Sequence, residues 1–444
     1  MSPTSMKRDI VFFLGAGFSH DAGLPMMSDF GNFSTDEYTK LCTEGGTSKR
    51  SFGLLKEAAR VFRSFQYFCR SALKAEEACG ASDPAGNMET LFCIAEAMRE
   101  AQVPPAFARF PEDPSASEPI GESMPIEADY LLQQVQLWLW EVYNCFPPLD
   151  RKRAESLGGK ELAYERFFGL INKTGMRERI TLITTNYDLI AEYYSWALKD
   201  GEPCAYPLRA HWDYSLLEAG DRIPSPYAPY GFVDAWEHEP NALVLCKLHG
   251  SVNFFETVCS GQPRLGACID TIEAGQTIGG SRITCYSPPP GSIHDPEKCK
   301  YRPAIFAQDA IWSLRERYGN TLFPAIVPPT YAKLQGQPWL RRIWNAAFRA
   351  IQTAKAIVFV GYSLPPSDGF MRAMFQGALA SRQGKPPEVY VVNPFEEESG
   401  LERYAQLFHV SLKPHKEDGS PGLYRMKFHK AVEEDVFARI LDSI

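Results

Sequence analysis

Five short stretches of this chain carry residue types that can do chemistry, and each closes an apolar run. In VFFLGAGFSHDAGLP, residues 11–25, Gly15 and Gly17 allow a tight turn and a close backbone approach to a diphosphate, whose charge suits the N–H groups at the start of a helix. Ser19 can cap that helix or donate to a phosphate oxygen. In TTNYD, residues 184–188, Asn186 offers both donor and acceptor, enough to hold a water or sugar hydroxyls. In CKLHGSVNFF, His249 precedes Gly250 at a run's end, where a neutral imidazole can act as a general base near neutral pH. FVGYSLPPSD, residues 359–368, and YVVNP, residues 390–394, end in small or polar residues able to reach a ribose or a base. Each stretch also has a plain structural reading: a turn without ligand, a helix cap at Asn186 or Asp188, a packed histidine, an ordinary strand-to-helix turn.

The elements that must position these residues follow from the apolar pattern. Val11–Leu14 reads as a short buried strand, and RITLITT, LVLCKLH, TLFPAIV, AIVFVGY and EVYVVNP repeat the pattern with helices between them. That alternation predicts an α/β, Rossmann-like, doubly wound and mostly parallel sheet covered on both faces. Between the first strand and the rest, helical periodicity over about 34–76, 86–102, YLLQQVQLWLWEVYNCF and 161–173 predicts a large helical insertion. The sheet core is then discontinuous, about 8–34 and 176–444, with 35–175 as an insertion or lid. Residues 103–127 read as a Pro-, Ser- and acid-rich loop. The stretches 201–240 and 256–303 read as loop or small-subdomain material.

Composition narrows the function classes. A 444-residue chain that is 45% hydrophobic and 23% charged, with a net charge of -8, is an ordinary globular protein with no bulk attraction to nucleic acid. No direct nucleic-acid binding is expected. Eleven scattered cysteines without a Cys-x-x-Cys pair indicate reduced thiols in a cytoplasmic protein and no metal site, zinc included. Gly15 and Gly17 break the apolar run that follows Lys7-Arg8, against a signal peptide, and no stretch is long enough to span a membrane.

Taken in order, GAG-x-S-x-x-x-G-x-P, T-x-N-x-D, K-L-H-G, G-x-S-L and a strand ending in Asn resemble the sirtuin family of NAD-consuming enzymes. The resemblance covers most of the chain except the helical insertion and residues 253–320. It implies NAD+ as substrate, with Gly15, Ala16, Gly17 and Ser19 on its phosphates and nicotinamide ribose. It places Asn186 and Asp188 at the nicotinamide pocket, His249 as catalytic base, and Gly361, Ser363 and Asn393 on the adenosine half. Pro25, Thr185, Tyr362 and Asp368 complete the implied cofactor-binding set. Two features of deacetylating sirtuins are missing: the paired Cys-x-x-Cys zinc module, and the Phe-Gly-Glu stretch for the acyl-lysine peptide, where this chain reads AIVPPTYAK.

The spellings TTNYD, KLHGS and GYSLPPSD, with PPTYAK ahead of WLRRIWNAAFRAI, look more like the sirtuin-like NADase domains of bacterial anti-phage defence systems. That resemblance implies hydrolysis of NAD+ to nicotinamide and ADP-ribose in abortive infection. It also implies a homo-oligomer, or a partner such as a HerA-type ATPase or a short Argonaute. In the expected mechanism Asn186 orients a water, His249 accepts its proton or that of a ribose hydroxyl, and Asp188 holds the nicotinamide amide or the local geometry. The alternatives are a protein deacylase or ADP-ribosyltransferase, and a module that senses NAD or ADP-ribose without turnover.

Overall fold

IVFFL has no polar break, the pattern of a strand buried on both faces, and it forms β1 (Ile10–Leu14) with every residue buried. The computed structural model describes residues 8–26, 51–73, 88–104, 106–109, 120–145, 161–173, 175–188, 190–197, 243–258, 281–285, 322–327, 338–365, 368–394, 398–409 and 420–444. After β1 come α1 (Ala16–His20), α2 (Ser51–Leu73), α3 (Met88–Glu100), β2 (Ala106–Arg109), β3 (Ile120–Pro125), α4 (Ala128–Cys145) and α5 (Glu161–Ile171). The chain continues through β4 (Ile180–Thr184), α6 (Ile190–Ala197), β5 (Val244–Lys247), β6 (Gly250–Val258), β7 (Ser281–Cys285) and β8 (Leu322–Ile326). It ends with α7 (Pro338–Thr353), β9 (Ala356–Val360), α8 (Gly369–Ala380), β10 (Glu388–Val392), α9 (Glu398–Phe408), β11 (Gly422–Tyr424), α10 (Phe428–Glu433) and α11 (Val436–Ser443).

Six strands form one sheet in the order β11-β10-β9-β1-β4-β5, and all of its ladders are parallel. From β1 the chain winds outward through β4 to β5, returns to β9 on the other side of β1, and continues to β10 and β11. The winding therefore reverses between β1 and β9, and in such a sheet ligands bind in the crevice beyond the carboxyl ends at that point. The fold is Rossmann-like and doubly wound.

Successive strand side chains point to opposite faces, so Phe12 and Phe13 enter different layers. Phe12 packs edge-on against Phe167 of α5, ring centroids 5.4 Å apart, with Phe437 of α11 beyond it at 6.2 Å. Phe13 meets Phe375 of α8 at 5.4 Å and Phe359 of β9 at 5.5 Å, and Phe359 in turn packs on Phe408 of α9 at 5.6 Å. At the opposite edge from the crevice, buried Asp9 ties three strand starts together. Its carboxylate accepts from Arg179 at 2.9 and 3.3 Å, ahead of β4, and pairs with Lys355 at 2.7 Å, ahead of β9.

The structure departs from the expected elements in three places. TLFPAIV lies outside the parallel sheet: β8 pairs antiparallel with β6 at one edge of a separate sheet ordered β7-β6-β8. Pro324 has no N–H for a ladder, which suits an edge strand and not the interior of a parallel sheet. The 103–127 loop contains a two-stranded antiparallel ribbon, β2 with β3. β11 was not expected, since three residues are too few to show a period. Within 35–175, α5 is a covering layer of the sheet, through Phe167. Residues 27–50, 201–240, most of 256–303 and PPTYAK lie outside the described residues.

Candidate functional site

The carboxyl ends of β1 and β9 meet in a clasp of backbone. Gly15 N–H donates to Val360 O at 2.9 Å and Gly17 N–H to Gly361 O at 2.8 Å. Gly361 has φ +62, and a Cβ there would sit 2.2 Å from Phe18 N and 2.4 Å from Gly17 C. A Cβ on Gly15 would lie 2.5 Å from Tyr362 Cα, so both glycines are required by the approach itself. The α1 end of the clasp is held from below by Tyr164 of α5, whose hydroxyl donates to Phe18 O. Burial pushes the Tyr164 pKa well up, so that donor stays protonated.

Beside the clasp, the register of β4 and β5 brings Asn186 and His249 to the same edge of the sheet, where both line one cavity. Thr184 of β4 is paired with Lys247 of β5, and each candidate stands two residues beyond its paired partner. Leu248 N–H to Thr184 O at 2.9 Å carries the ladder one step further. Gly250, at φ +80, then turns the chain into β6 and leaves His249 at the sheet edge. His249 is 4% exposed, its ring centroid is 6.1 Å from that of Tyr187, and its carbonyl accepts from Val327 N–H at 2.8 Å.

Asn186 is oriented by a chain of hydrogen bonds. Its Nδ2 donates to Gly15 O and to Ser19 Oγ, both at 2.8 Å. Gly15 O can only accept, so the amide nitrogen must face it. Ser19 in turn donates its single proton to Asp188 Oδ2 at 2.6 Å, while Asp188 Oδ1 accepts from Ile190 N–H at 3.0 Å at the start of α6. With both amide donors engaged, Oδ1 is the atom of Asn186 left to receive a proton donor such as a water. Lys247, buried, donates to Asp188 O and pairs with Glu192 at 3.1 Å, which fixes the turn from below. The neighbouring Cys246 is no nucleophile: burial pushes its thiol up to about 12.

On the other side of the clasp, Tyr362 OH donates to Asp368 Oδ2 at 2.8 Å, and Asp368 caps α8 by accepting from Met371 N–H at 3.3 Å. Asn393, beyond β10, donates through Nδ2 to Tyr362 O at 2.9 Å.

A cavity of about 490 Å³ runs along these strand ends. Ala16, Gly17, Thr185, Asn186 and His249 line it, and so do Gly361, Tyr362, Ser363, Asp368 and Asn393. Gly15, Ser19, Pro25 and Asp188 are not among its lining residues. Ser19 and Asp188 are buried behind Asn186. The carbonyl of Pro25 accepts from Tyr143 OH at 3.1 Å.

Sequence reasoning passed over Tyr143, Tyr187, Asp21, Lys427 and Phe428, which also line the cavity. Tyr187 stands inside TTNYD, where alternation puts it between the two polar residues already noted. Tyr143 lies in α4, far from every motif, and its ring is 5.7 Å from that of Tyr187. α4 thus reaches the His249 end of the cavity. Lys427 and Phe428 follow β11, and nothing local marks them.

Among the described residues no helix is long and apolar enough to cross a membrane. No protein-family model matches the chain, and no curated protein matches it. Solved structures of Sir2 proteins are similar to it. A mutant Sir2 homologue in complex with 2'-O-acetyl ADP ribose is 11% identical over 99% of this chain and 95% of its own, with a TM-score of 0.37. Sir2 with an inhibitor, 2'-O-acetyl-ADP-ribose and a deacetylated peptide is 10% identical over 97% and 94%, with a TM-score of 0.32. Sir2Tm bound to a propionylated peptide is 11% identical over 97% and 93%, with a TM-score of 0.32.

Proposed function

We propose that this chain is an NAD+ hydrolase, cleaving the nicotinamide–ribose bond to give nicotinamide and ADP-ribose. The observation that carries the reading is the juxtaposition of Asn186 and His249 at one end of a cavity whose middle is a glycine clasp. In that arrangement the clasp takes the diphosphate and the β4–β5 end takes the nicotinamide ribose.

The chemistry asks little of acid catalysis. The ring nitrogen of NAD+ is cationic, so as the C1'–N bond breaks its electron pair neutralises the ring and nicotinamide leaves without a proton. A water then forms the new C1'–O bond and releases one proton. Asn186 Oδ1 accepts a hydrogen bond from that water and aims its oxygen, and His249 takes the proton. Ser19 and Asp188 act as positioning residues through Asn186. The aromatic wall of Tyr143 and Tyr187 keeps bulk water off the oxocarbenium-like ribose.

The reading extends to an effector of an anti-phage, abortive-infection system in the cytoplasm, held inactive until a homo-oligomer or partner chain forms. Its support is the spelling of TTNYD, KLHGS and GYSLPPSD and the reach of α4 into the site, which gives assembly a route to the cavity. Incubation with NAD+, with nicotinamide and ADP-ribose quantified, tests the activity. Nicotinamide release without any acyl-lysine peptide is expected, and it should fall at least about 100-fold in Asn186→Ala and in His249→Ala. Release that persists in both variants refutes the mechanism. Release only with a peptide makes the protein a deacylase, and none under any activating condition makes it a sensor.

A further inference from the structure

We infer that the end of the cavity opposite His249 accepts a phosphorylated adenosine ribose, so that NADP+ binds there alongside NAD+. The inference rests on the reading of the cavity as a dinucleotide site and concerns its other half.

The sheet order sets the geometry. From β4 to β10 is three strand spacings, about 14 Å, with the clasp between them. A dinucleotide with its diphosphate on the clasp and its nicotinamide ribose at Asn186 therefore lays its adenosine across the ends of β9, β10 and β11. The lining there includes Ser363, Asn393 and, three residues beyond β11, Lys427. The backbone at Lys427 is well anchored by the two residues that follow it. Phe428 packs on Phe18 at 4.7 Å and Tyr164 at 4.8 Å. His429 bonds Asp21 Oδ2 through its N–H at 3.0 Å and its Nδ1 at 2.8 Å.

Charge then decides which ribose fits. Rossmann-type sites select an unmodified ribose with a carboxylate that accepts its hydroxyls, and meet a ribose phosphate with a cation. The two carboxylates that line this cavity among the described residues are both engaged, Asp21 by His429 and Asp368 by Tyr362 and Met371 N–H. Among the described residues Lys427 is the only lysine or arginine lining it, its side chain is exposed, and no acceptor among them pairs with its ammonium. Hydroxyl and amide donors with a lysine, and two carboxylates already engaged, match a phosphorylated ribose.

The probes are 5'-AMP and adenosine 2',5'-bisphosphate, titrated calorimetrically into the full chain and into Lys427→Met. The bisphosphate should bind the wild type at least about ten-fold tighter than 5'-AMP, about 1.4 kcal/mol, and the variant should lose most of that preference. Equal affinities, no binding of either probe, or the same proportional loss for both in Lys427→Met overturns the inference; the last would place Lys427 on the shared phosphate. Turnover separates this from the hydrolase reading. NAD+ cleavage with NADP+ neither bound nor cleaved removes the inference alone. A Lys427-dependent preference for the bisphosphate with neither dinucleotide cleaved sustains it and removes the hydrolase.

Discussion

Replacing Asn186 by aspartate changes almost no volume but reverses the hydrogen-bond polarity at the centre of the site. The two Nδ2 bonds, each 2.8 Å, are lost, at about 1 kcal/mol net apiece. Gly15 O, buried, then faces a carboxylate oxygen in place of a donor. Ser19 has one proton and already gives it to Asp188 at 2.6 Å, so two carboxylates compete for it. Like charges about 5 Å apart at an effective dielectric of about 20 repel by about 3 kcal/mol, less here because Asn186 is only half-buried. The sum is about 3–5 kcal/mol, a large part of the roughly 5–15 kcal/mol that holds a domain folded. The repulsion raises the new carboxyl's folded pKa above its unfolded value of about 3.9, so the folded form binds more protons. The penalty is therefore smallest at low pH and grows as pH rises through the folded pKa. Urea unfolding of Asn186→Asp and wild type at pH 5 and pH 8, with nicotinamide release at each, measures both effects. A variant within about 1 kcal/mol of wild type at pH 8, or a gap that does not change with pH, refutes the Ser19–Asp188 orientation of Asn186.

Gly361→Ala should cost about 3 kcal/mol or more, because its Cβ would sit 2.2 Å from Phe18 N at φ +62; a fall in melting temperature together with weakened NAD+ binding checks it. At Asp9, burial alone would raise the carboxyl pKa, but the hydrogen bonds from Arg179 and Lys355 outweigh it and hold the group below its ordinary value. That stabilisation is present above about pH 4 and lost as pH falls through the folded pKa. Asp9→Asn should thus cost about 1–2 kcal/mol at pH 7, with partly exposed partners limiting the effect, and progressively less as pH falls below about 4, as read from unfolding curves. Tyr143→Phe loses one hydrogen bond to Pro25 O, 3.1 Å, and should keep most activity at a stability cost of about 1 kcal/mol. Tyr143→Ala opens the wall beside Tyr187 and should lower kcat about ten-fold, which steady-state NAD+ hydrolysis would reveal.

Much of the sheet was legible along the chain because strand burial is a local signal. IVFFL, ITLIT, VLCK, AIVFV and EVYVV are apolar runs stopped by glycine or polar residues, and a strand covered on both faces needs nothing else to be recognised. TLFPAIV shows the limit: its apolar run reports burial, while Pro324 and pairing with β6 decided which sheet it joins. Asn186, His249, Gly361 and Asn393 were found by the same signal, since they stand just beyond the ends of such runs.

What they do to one another was decided by the tertiary structure. The bonds from Asn186 to Ser19 and to Gly15, and from Ser19 to Asp188, span 167, 171 and 169 residues. The neighbourhood of Asn186 and His249 depends on the Thr184–Lys247 register. Tyr143 and Lys427 enter the cavity from α4 and from beyond β11, and neither carries any pattern in its own neighbourhood. Periodicity tells which face of an element is covered, whereas the partner that covers it, and the direction in which each polar group points, are set by contacts between segments far apart in the chain.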